Sequence, residues 1–412
     1  MTTKTIPIYG YASPAPVDTT GSAYGRAPAK SEDLLVGVGP GTPCGEYLRR
    51  YWQPVGVSAE VTSQPKRVRI LGEDLVLFRD RKGRAGLLYE RCMHRGTSLF
   101  FGKVEDEGVR CCYHGWLFSV EGHCLNQPCE PNGGTNRDHA RQPWYPVEER
   151  YGLVFAYMGP PDRRPVLPRY DTLEDLAPGE FIEVDGSGYG GYAAPMEDPH
   201  VPFHWLQNWE NIMDPYHVQV LHSTFSQVQF APEFSVMPKV DFESIGTGVI
   251  YHAYRTLDDG RKVQRINSAL LPNISAIPSL DLEPTRGRMI GWHVAVDDTH
   301  FRVFFANACR QTGRFAGVRM HGGKLWTEAT EAERQESPGD FEAQSSQGPV
   351  NLHSDEHLAS SDRGIGMLRR LMRQQIQVVA QGGDPAGVAF TEADALVRIR
   401  SGNFDLQPPV EA

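Results

Sequence analysis

Between Tyr47 and Tyr157 apolar residues fall in short runs, Val55–Val57, Arg67–Leu71, Leu75–Phe78, Leu87–Tyr89 and Leu153–Tyr157, divided by turns rich in Gly, Asp and Lys. Runs this short, bounded by turn formers, predict antiparallel strands. The segment PPDRRPVLP that follows breaks the pattern. Proline fixes φ and removes a backbone donor, so this stretch links rather than pairs and marks a domain boundary. From about residue 171 the pattern is mixed: Trp205–Leu221 predicts helix, whereas Gly248–Tyr254, Met289–Val296 and Phe301–Ala306 predict sheet strands. Residues 322–348 are polar, acidic and weakly patterned. The run SSDRGIGMLRRLMRQQIQVV then places apolar residues at 365, 368, 372, 376 and 379, one face of a helix, with Ser361 as its expected cap. Residues 1–34, rich in Pro, Gly, Ala and Ser with little periodicity, predict a loose arm or a segment that wraps a neighbouring subunit.

Length adds a domain count. A chain of 412 residues exceeds one hydrophobic core, and roughly 150 residues per domain predicts two or three. No apolar run approaches the roughly 18 residues a membrane span needs, and no basic flank with an apolar core opens the chain, so a cytoplasmic location with no membrane partner is expected. A net charge of -10 without a Lys/Arg cluster excludes the electrostatic footprint of a nucleic-acid binder. The cysteines, Cys44, Cys92, Cys111, Cys112, Cys124, Cys129 and Cys309, are odd in number, which suits a reducing compartment and turns attention to metal ligation. The string Gly186-x-Gly188-x-x-Gly191 precedes YAAP rather than a helix and reads as chance.

Two constellations carry chemistry. The first is Cys92-x-His94, sixteen intervening residues, then Cys111-x2-His114. Two Cys and two His on adjacent loops can hold a tetrahedral zinc or a 2Fe-2S cluster with cysteines on one iron and histidines on the other. The mixed Cys/His order within each pair favours the cluster, because zinc fingers pair like with like. Cys112 falls outside the ligand spacing, and His123, Cys124 and Cys129 lack a fourth partner, so none receives a role. The second constellation is Asp214-x2-His217-x4-His222. Residues five apart diverge on a regular helix, so the two imidazoles converge only across a π-type turn or a break. Two histidines and one carboxylate form the facial set that binds iron(II) with open positions for dioxygen beside a substrate. Asp214 could be that carboxylate or could accept a hydrogen bond from a ligating imidazole, and a distant carboxylate is the preferred third ligand.

The flanks His94-Arg95-Gly96 and His114-Gly115-Trp116 resemble the Rieske signature, and together with ENIMDPYHVQVLH the chain resembles the α, or terminal oxygenase, subunit of Rieske non-heme iron oxygenases over roughly residues 45–380. GEYLRRYWQPV, LQNWENIMDPYHVQVLH, WHVAVDDTH and EHLASSDRG are similar to the phthalate dioxygenase and dehydrodivanillate O-demethylase-like branch. The resemblance implies an α+β chain. An arm (1–44) precedes an all-β Rieske 2Fe-2S domain (45–165) and a catalytic domain (166–412) with an antiparallel sheet covered by helices. It implies a third iron ligand in DFEAQSSQG, Asp340, with Asp355 and Asp362 close by. It implies a trimer, or a pair of trimers, in which Asp214 bridges His114 of one subunit and His217 of the next. Electrons would arrive from a separate reductase, with or without a ferredoxin, and dioxygen would be spent on ring cis-dihydroxylation or O-demethylation of an aromatic carboxylate. Arg255, Arg265 and Arg288 are candidates to pair that carboxylate. The competing readings are an iron-sulfur electron-transfer protein with a structural second site, and a zinc-binding protein without redox function.

Overall fold

A computed structural model describes residues 28–406, except 136, 190–198, 227, 281 and 313–323. The predicted strands between Tyr47 and Tyr157 form three antiparallel sheets. Trp52–Val57, Leu153–Tyr157 and Val147–Arg150 make one, with Leu153–Tyr157 central. Lys66–Ile70, Glu73–Arg79, Ala85–Tyr89 and Trp144–Tyr145 make the second. The third, of Lys103–Glu105, Gly108–Arg110, Leu117–Phe118 and Cys124–Asn126, has short strands and shares a small core with the second, Val109 and Phe118 packing with Val76, Phe78 and Leu88.

The second part is built on a nine-stranded antiparallel sheet. Its main strands are β1 (Phe181–Gly188), β2 (Lys239–Ser244), β3 (Gly248–Thr256), β4 (Lys262–Leu270), β5 (Ile274–Ala276), β6 (Met289–Asp297) and β7 (His300–Cys309). They lie side by side in the order β1-β7-β6-β5-β4-β3-β2, with Gly402–Asp405 paired to β4 and Thr285–Arg286 paired to Gly402–Asp405. Four helical segments matter here: α1 (Trp205–Asn211), α2 (Pro215–Gln219), α3 (Asp340–Ser345) and α4 (Arg363–Ala380). The last buries Leu368, Met372 and Ile376 of the predicted face, with Leu371 beside them, while Ile365 and Val379 are only partly buried. Gly364 in its first turn lies so close to α1 and β2 that a Cβ would stand 2.7 Å from the Met213 carbonyl oxygen and 2.4 Å from the Phe242 ring.

Two expectations change. Ser361 does not cap α4: it lies in a 3-10 turn, Ser360–Asp362, in which Asp362 Oδ2 accepts from Ala359 N–H and the helix starts one residue later. The arm is not loose where it is described. Leu35 and Val38 are fully buried, Glu32 accepts two hydrogen bonds from Arg373 of α4, and Thr42 caps the helix Pro43–Leu48. Within residues 28–34 the fastening is chiefly Glu32, whose amide also donates to His353 Nδ1 at 3.0 Å. Residues 1–27, and Gly191 of the glycine string, lie outside the described residues.

The two parts share one core. Phe155 and Tyr170 each meet Trp292 of β6 edge-on, both with ring centroids 5.6 Å apart. The tight hairpin between Ile70 and Glu73 turns through Leu71 and Gly72, both at positive φ. Its two amides are donated to the carbonyls of Ala295 and Val296 at 3.0 and 2.9 Å. Among the described residues no helix is long and apolar enough to cross a membrane.

Helix α1 is fastened by charge as well as packing. Glu210 accepts from Nε and Nη2 of Arg369 at 2.5 and 2.6 Å, and the same guanidinium bonds Glu356. Removing the cation strands the buried Glu210 carboxylate and the half-buried Glu356. Arg369→Met is expected to lower stability by about 3–5 kcal/mol, read as a lower urea midpoint at unchanged slope.

Candidate metal centres

Cys92 and His94 sit on one turn, Cys111 and His114 on another. In each the carbonyl of the cysteine accepts from a glycine amide four residues on, Gly96 at 2.8 Å and Gly115 at 3.1 Å. Both glycines have positive φ, 76° and 72°, which lets the chain fold back tightly. The thiols of Cys92 and Cys111 are buried and face each other within hydrogen-bonding reach. The rings of His94 and His114 meet at 4.5 Å, and Trp116 stacks flat on His94, 5° from parallel. Two sulfurs therefore form one pair and two imidazoles another. A single tetrahedral ion would draw all four ligand atoms together, yet among the described residues these four do not form such a group. A two-iron cluster with sulfur on one side and nitrogen on the other fits the spacing.

The protonation states fit too. Burial pushes the Cys92 thiol up to about 11, with Cys111 adding to the rise, and burial together with His114 holds His94 below the ordinary imidazole value. His94 is thereby favoured as the neutral imidazole, and the Cys92 thiol keeps a proton that iron must displace. Gln142, fully buried, holds the first turn from behind. Its Oε1 accepts from Met93 N–H at 2.8 Å, and its Nε2 donates to the carbonyls of Tyr89 and Arg91. Arg110, fixed by Glu105, donates to the Gly115 carbonyl at 2.6 Å and braces the second turn. Cys129 and Cys124 spend their thiols on backbone carbonyls, and Cys112 is exposed.

The helix predicted from Trp205 to Leu221 is interrupted. Pro215 has no N–H to donate and disfavours helical geometry in the residue before it. Accordingly α1 ends at Asn211, Asp214 leaves helical geometry with φ -111°, and α2 begins at Pro215. Asp214 Oδ1 accepts from the amides of Tyr216 and His217, capping α2. From Val220 to Phe225 the chain widens into a π-helix, the irregularity that the five-residue interval requires.

Across this turn His217 and His222 come together with Asp340, the first residue of α3. Their ligating atoms all lie within 4.8 Å of one another. Asp340 Oδ1 is 3.5 Å from His217 Nε2, and Oδ2 is 3.2 Å from His222 Nε2. His222 Nε2 is buried and, despite that short distance, has no well-aligned hydrogen-bond partner. Each ring is held by its other nitrogen: His222 Nδ1–H donates to Gln229 Oε1 at 2.6 Å, and His217 Nδ1–H to the Asp214 carbonyl. Both Nε2 lone pairs thus point at one spot. Asn211 Nδ2 donates to Asp340 Oδ1 at 3.1 Å. Burial opposes ionisation of Asp340, but His222, His217 and Asn211 outweigh it and hold the carboxyl well below its usual range. Burial likewise opposes charge on His222, and Asp340 and Gln229 raise it above the ordinary imidazole value. The trio is built around a cation.

Asp214 stands beside this group, its Oδ2 3.8 Å from His217 Nδ1. Asp355 and Asp362 sit in 3-10 turns outside it. Residues the sequence did not single out complete the surroundings. Gln229 also donates to the Pro338 carbonyl, two residues before Asp340, so one amide positions His222 and α3 together. One turn along, Asn208 donates to Gln344 Oε1 at 2.8 Å and meets His293 Nδ1 at 2.6 Å. Burial pushes His293 down to about 3, so it is neutral. The trio opens into a cavity of about 200 Å³ walled by apolar side chains such as Ile212, Phe230, Phe234 and Phe305. Of the three candidate arginines, Arg265 lines it. Arg288 bonds Glu180 instead, and Arg255 lies behind Phe234.

Residues 51–146 match the Rieske [2Fe-2S] domain family. Phenoxybenzoate dioxygenase subunit alpha of Ectopseudomonas oleovorans is 67% identical over 401 residues, covering 97% of each chain. The 5,5'-dehydrodivanillate O-demethylase oxygenase subunit of Sphingobium sp. (strain NBRC 103272 / SYK-6) is 33% identical over 87% of this chain and 83% of its own. Among solved structures, dicamba monooxygenase bound to dicamba superposes with a TM-score of 0.59 at 19% identity, over 81% of this chain and 99% of that one, a likeness of fold.

Gln229→Leu removes the acceptor that fixes His222 and the tie to Pro338. Iron affinity at the trio is expected to fall about 10–100-fold, read by chelator competition, while the visible spectrum of the cluster stays unchanged.

Proposed function

The chain belongs to the Rieske non-heme iron oxygenases as an oxygenase subunit, and on that footing we propose that it adds both atoms of dioxygen to an aromatic carboxylate of the phenoxybenzoate type. The observation that carries this is the meeting of His217, His222 and Asp340 at the head of an apolar cavity. The 67% identity with a chain named for phenoxybenzoate favours dioxygenation over O-demethylation. In this reading Cys92, His94, Cys111 and His114 hold the 2Fe-2S cluster, and the trio holds iron(II). The domains are 45–165 and 166–412.

When bound, the cluster supplies electrons singly and the iron activates dioxygen. The chain's own residues do the positioning. Gln229 and the Asp214 carbonyl hold each ring by its Nδ1 and leave both Nε2 atoms aimed together. Asn211 steadies Asp340. The apolar wall excludes water and lays a flat ring beside the trio. The balance is one arene, one dioxygen, two electrons and two protons to one cis-dihydrodiol.

The electrons come from a separate reductase, directly or through a ferredoxin. The partner for internal transfer is a second copy of the chain. Exposed Met93, Phe101 and Tyr113 surround the cluster turns, and exposed Val220 and Phe225 flank the π-helix beside Asp214. A head-to-tail contact between two such unlike patches closes into a ring, here a trimer or two stacked trimers. Asp214 would then accept from His114 of one subunit and His217 of the next. The cysteines, none in a disulfide, suit the cytoplasm.

Two measurements test this. With a reductase, NADH and ¹⁸O₂, phenoxybenzoate is expected to gain two labelled oxygens and two hydrogens by mass spectrometry. Formaldehyde release from methoxybenzoates, with phenoxybenzoate inert, would replace dioxygenation by O-demethylation. Asp214→Asn is expected to keep both metals yet lose electron delivery, seen as a cluster that stays reduced when substrate and dioxygen are added. Normal reoxidation would rule out the bridge.

A further inference from the structure

Strand β6 has two faces. Trp292 turns toward Phe155 on one, while Met289 and His293 line the cavity on the other, with Gly291 between them on that same face. Val303 and Phe305 of β7 line the cavity as well. Gly291 pairs with Phe305 on one side and with Ser275 of β5 on the other. A residue without a side chain thus stands in the middle of this wall. A Cβ there would lie 2.6 and 3.0 Å from Cε1 and Cδ1 of Phe305 and 2.7 Å from Ser275 Oγ. The phenyl ring is laid across the glycine.

The backbone does not require glycine at this position, which is strand interior without a positive φ. Glycine weakens a strand interior, and its presence there marks a close approach. Covering a strand glycine with an aromatic ring steadies a sheet, but here the ring is also a wall of the cavity that holds the trio. The neighbours decide what would yield to an added methyl group. The strands on either side are paired with β6 and cannot part from it. Ser275 is buried, and its hydroxyl meets His293 Nε2 at 2.9 Å. Phe305 borders the open space of the cavity, about 200 Å³, and its ring would be pushed into it.

We infer that Gly291 sets the size of acid the cavity admits: by letting Phe305 lie back against the sheet, it keeps the space that a second aromatic ring needs. The inference rests on the reading of the substrate as an acid of the phenoxybenzoate type and names the position that makes room for its second ring. A larger residue at 291 converts the cavity into one for single-ring acids, with Phe305 as the moving part.

Calorimetry on the full-length, metal-loaded protein tests it, with phenoxybenzoate and benzoate as two-ring and one-ring probes. Gly291→Ala is expected to weaken phenoxybenzoate by about tenfold or more, the scale of overpacking by one methyl group, and to change benzoate by less than about threefold. In a Phe305→Leu background, which lacks the ring to be displaced, the same substitution is expected to cost phenoxybenzoate less than about threefold, because residues in contact are coupled. Phe305→Trp fills the space with Gly291 intact and is expected to show the same selective loss, so the outcome does not hang on the folding of Gly291→Ala. Phenoxybenzoate binding unchanged in Gly291→Ala and Phe305→Trp, equal weakening of both probes, or a loss that Phe305→Leu does not relieve overturns the inference and leaves the proposed function standing. A wild type that binds benzoate but not phenoxybenzoate overturns the two-ring substrate and the role of Gly291 together.

Discussion

The five-residue interval between His217 and His222 is the constraint on which the site depends. On a regular α-helix such residues point about 140° apart, and no single ion could touch both. The chain meets the constraint with the π-helix from Val220, which turns His222 back, while the break at Asp214–Pro215, upstream of both histidines, sets the axis of α2. Once both imidazoles face one spot, α3 is obliged to bring Asp340 there, and α1 to stay where Asn211 can reach it.

The fastening around that spot is done largely by neutral amides. Gln229, Asn211, Asn208 and Gln344 join the π-helix, α1 and α3 through hydrogen bonds that add no charge. Two neutral imidazoles and one carboxylate then reduce a divalent ion to a net charge of one, and nothing nearby need disturb that count. The ion pairs are kept one layer back, where Arg369 ties Glu210 and Glu356.

Much of this was legible in the sequence where it depended on local chemistry. Short apolar runs between turn formers marked the strands, the Cys/His spacing marked the turns of the first site, and the interval between His217 and His222 demanded an irregular helix. Asp340 could be named only through family resemblance, since nothing local distinguishes it from Asp355 or Asp362. Gln142, Gln229 and His293 were invisible because their partners lie far along the chain or, for Gln229, across a turn whose shape the sequence does not print. At the described end of the arm, residues 28–34, the sequence misled because what fixes it, Glu32 against Arg373, depends on a partner more than three hundred residues away. Arg288, read as a ligand for substrate, had a nearer acid in Glu180.

The Leu71–Gly72 hairpin tip, which spends its amides on β6, has a bearing on how such chains diversify. Oxidative enzymes with a replaceable electron-carrying module could exchange it between lineages by recombination at the linker. Here the module is keyed into its neighbour by backbone hydrogen bonds and by Phe155 against Trp292. A crossover in the proline segment would join surfaces that never evolved together, leaving two amides and an aromatic face unmatched. A change in the cavity wall, by contrast, leaves that seam undisturbed.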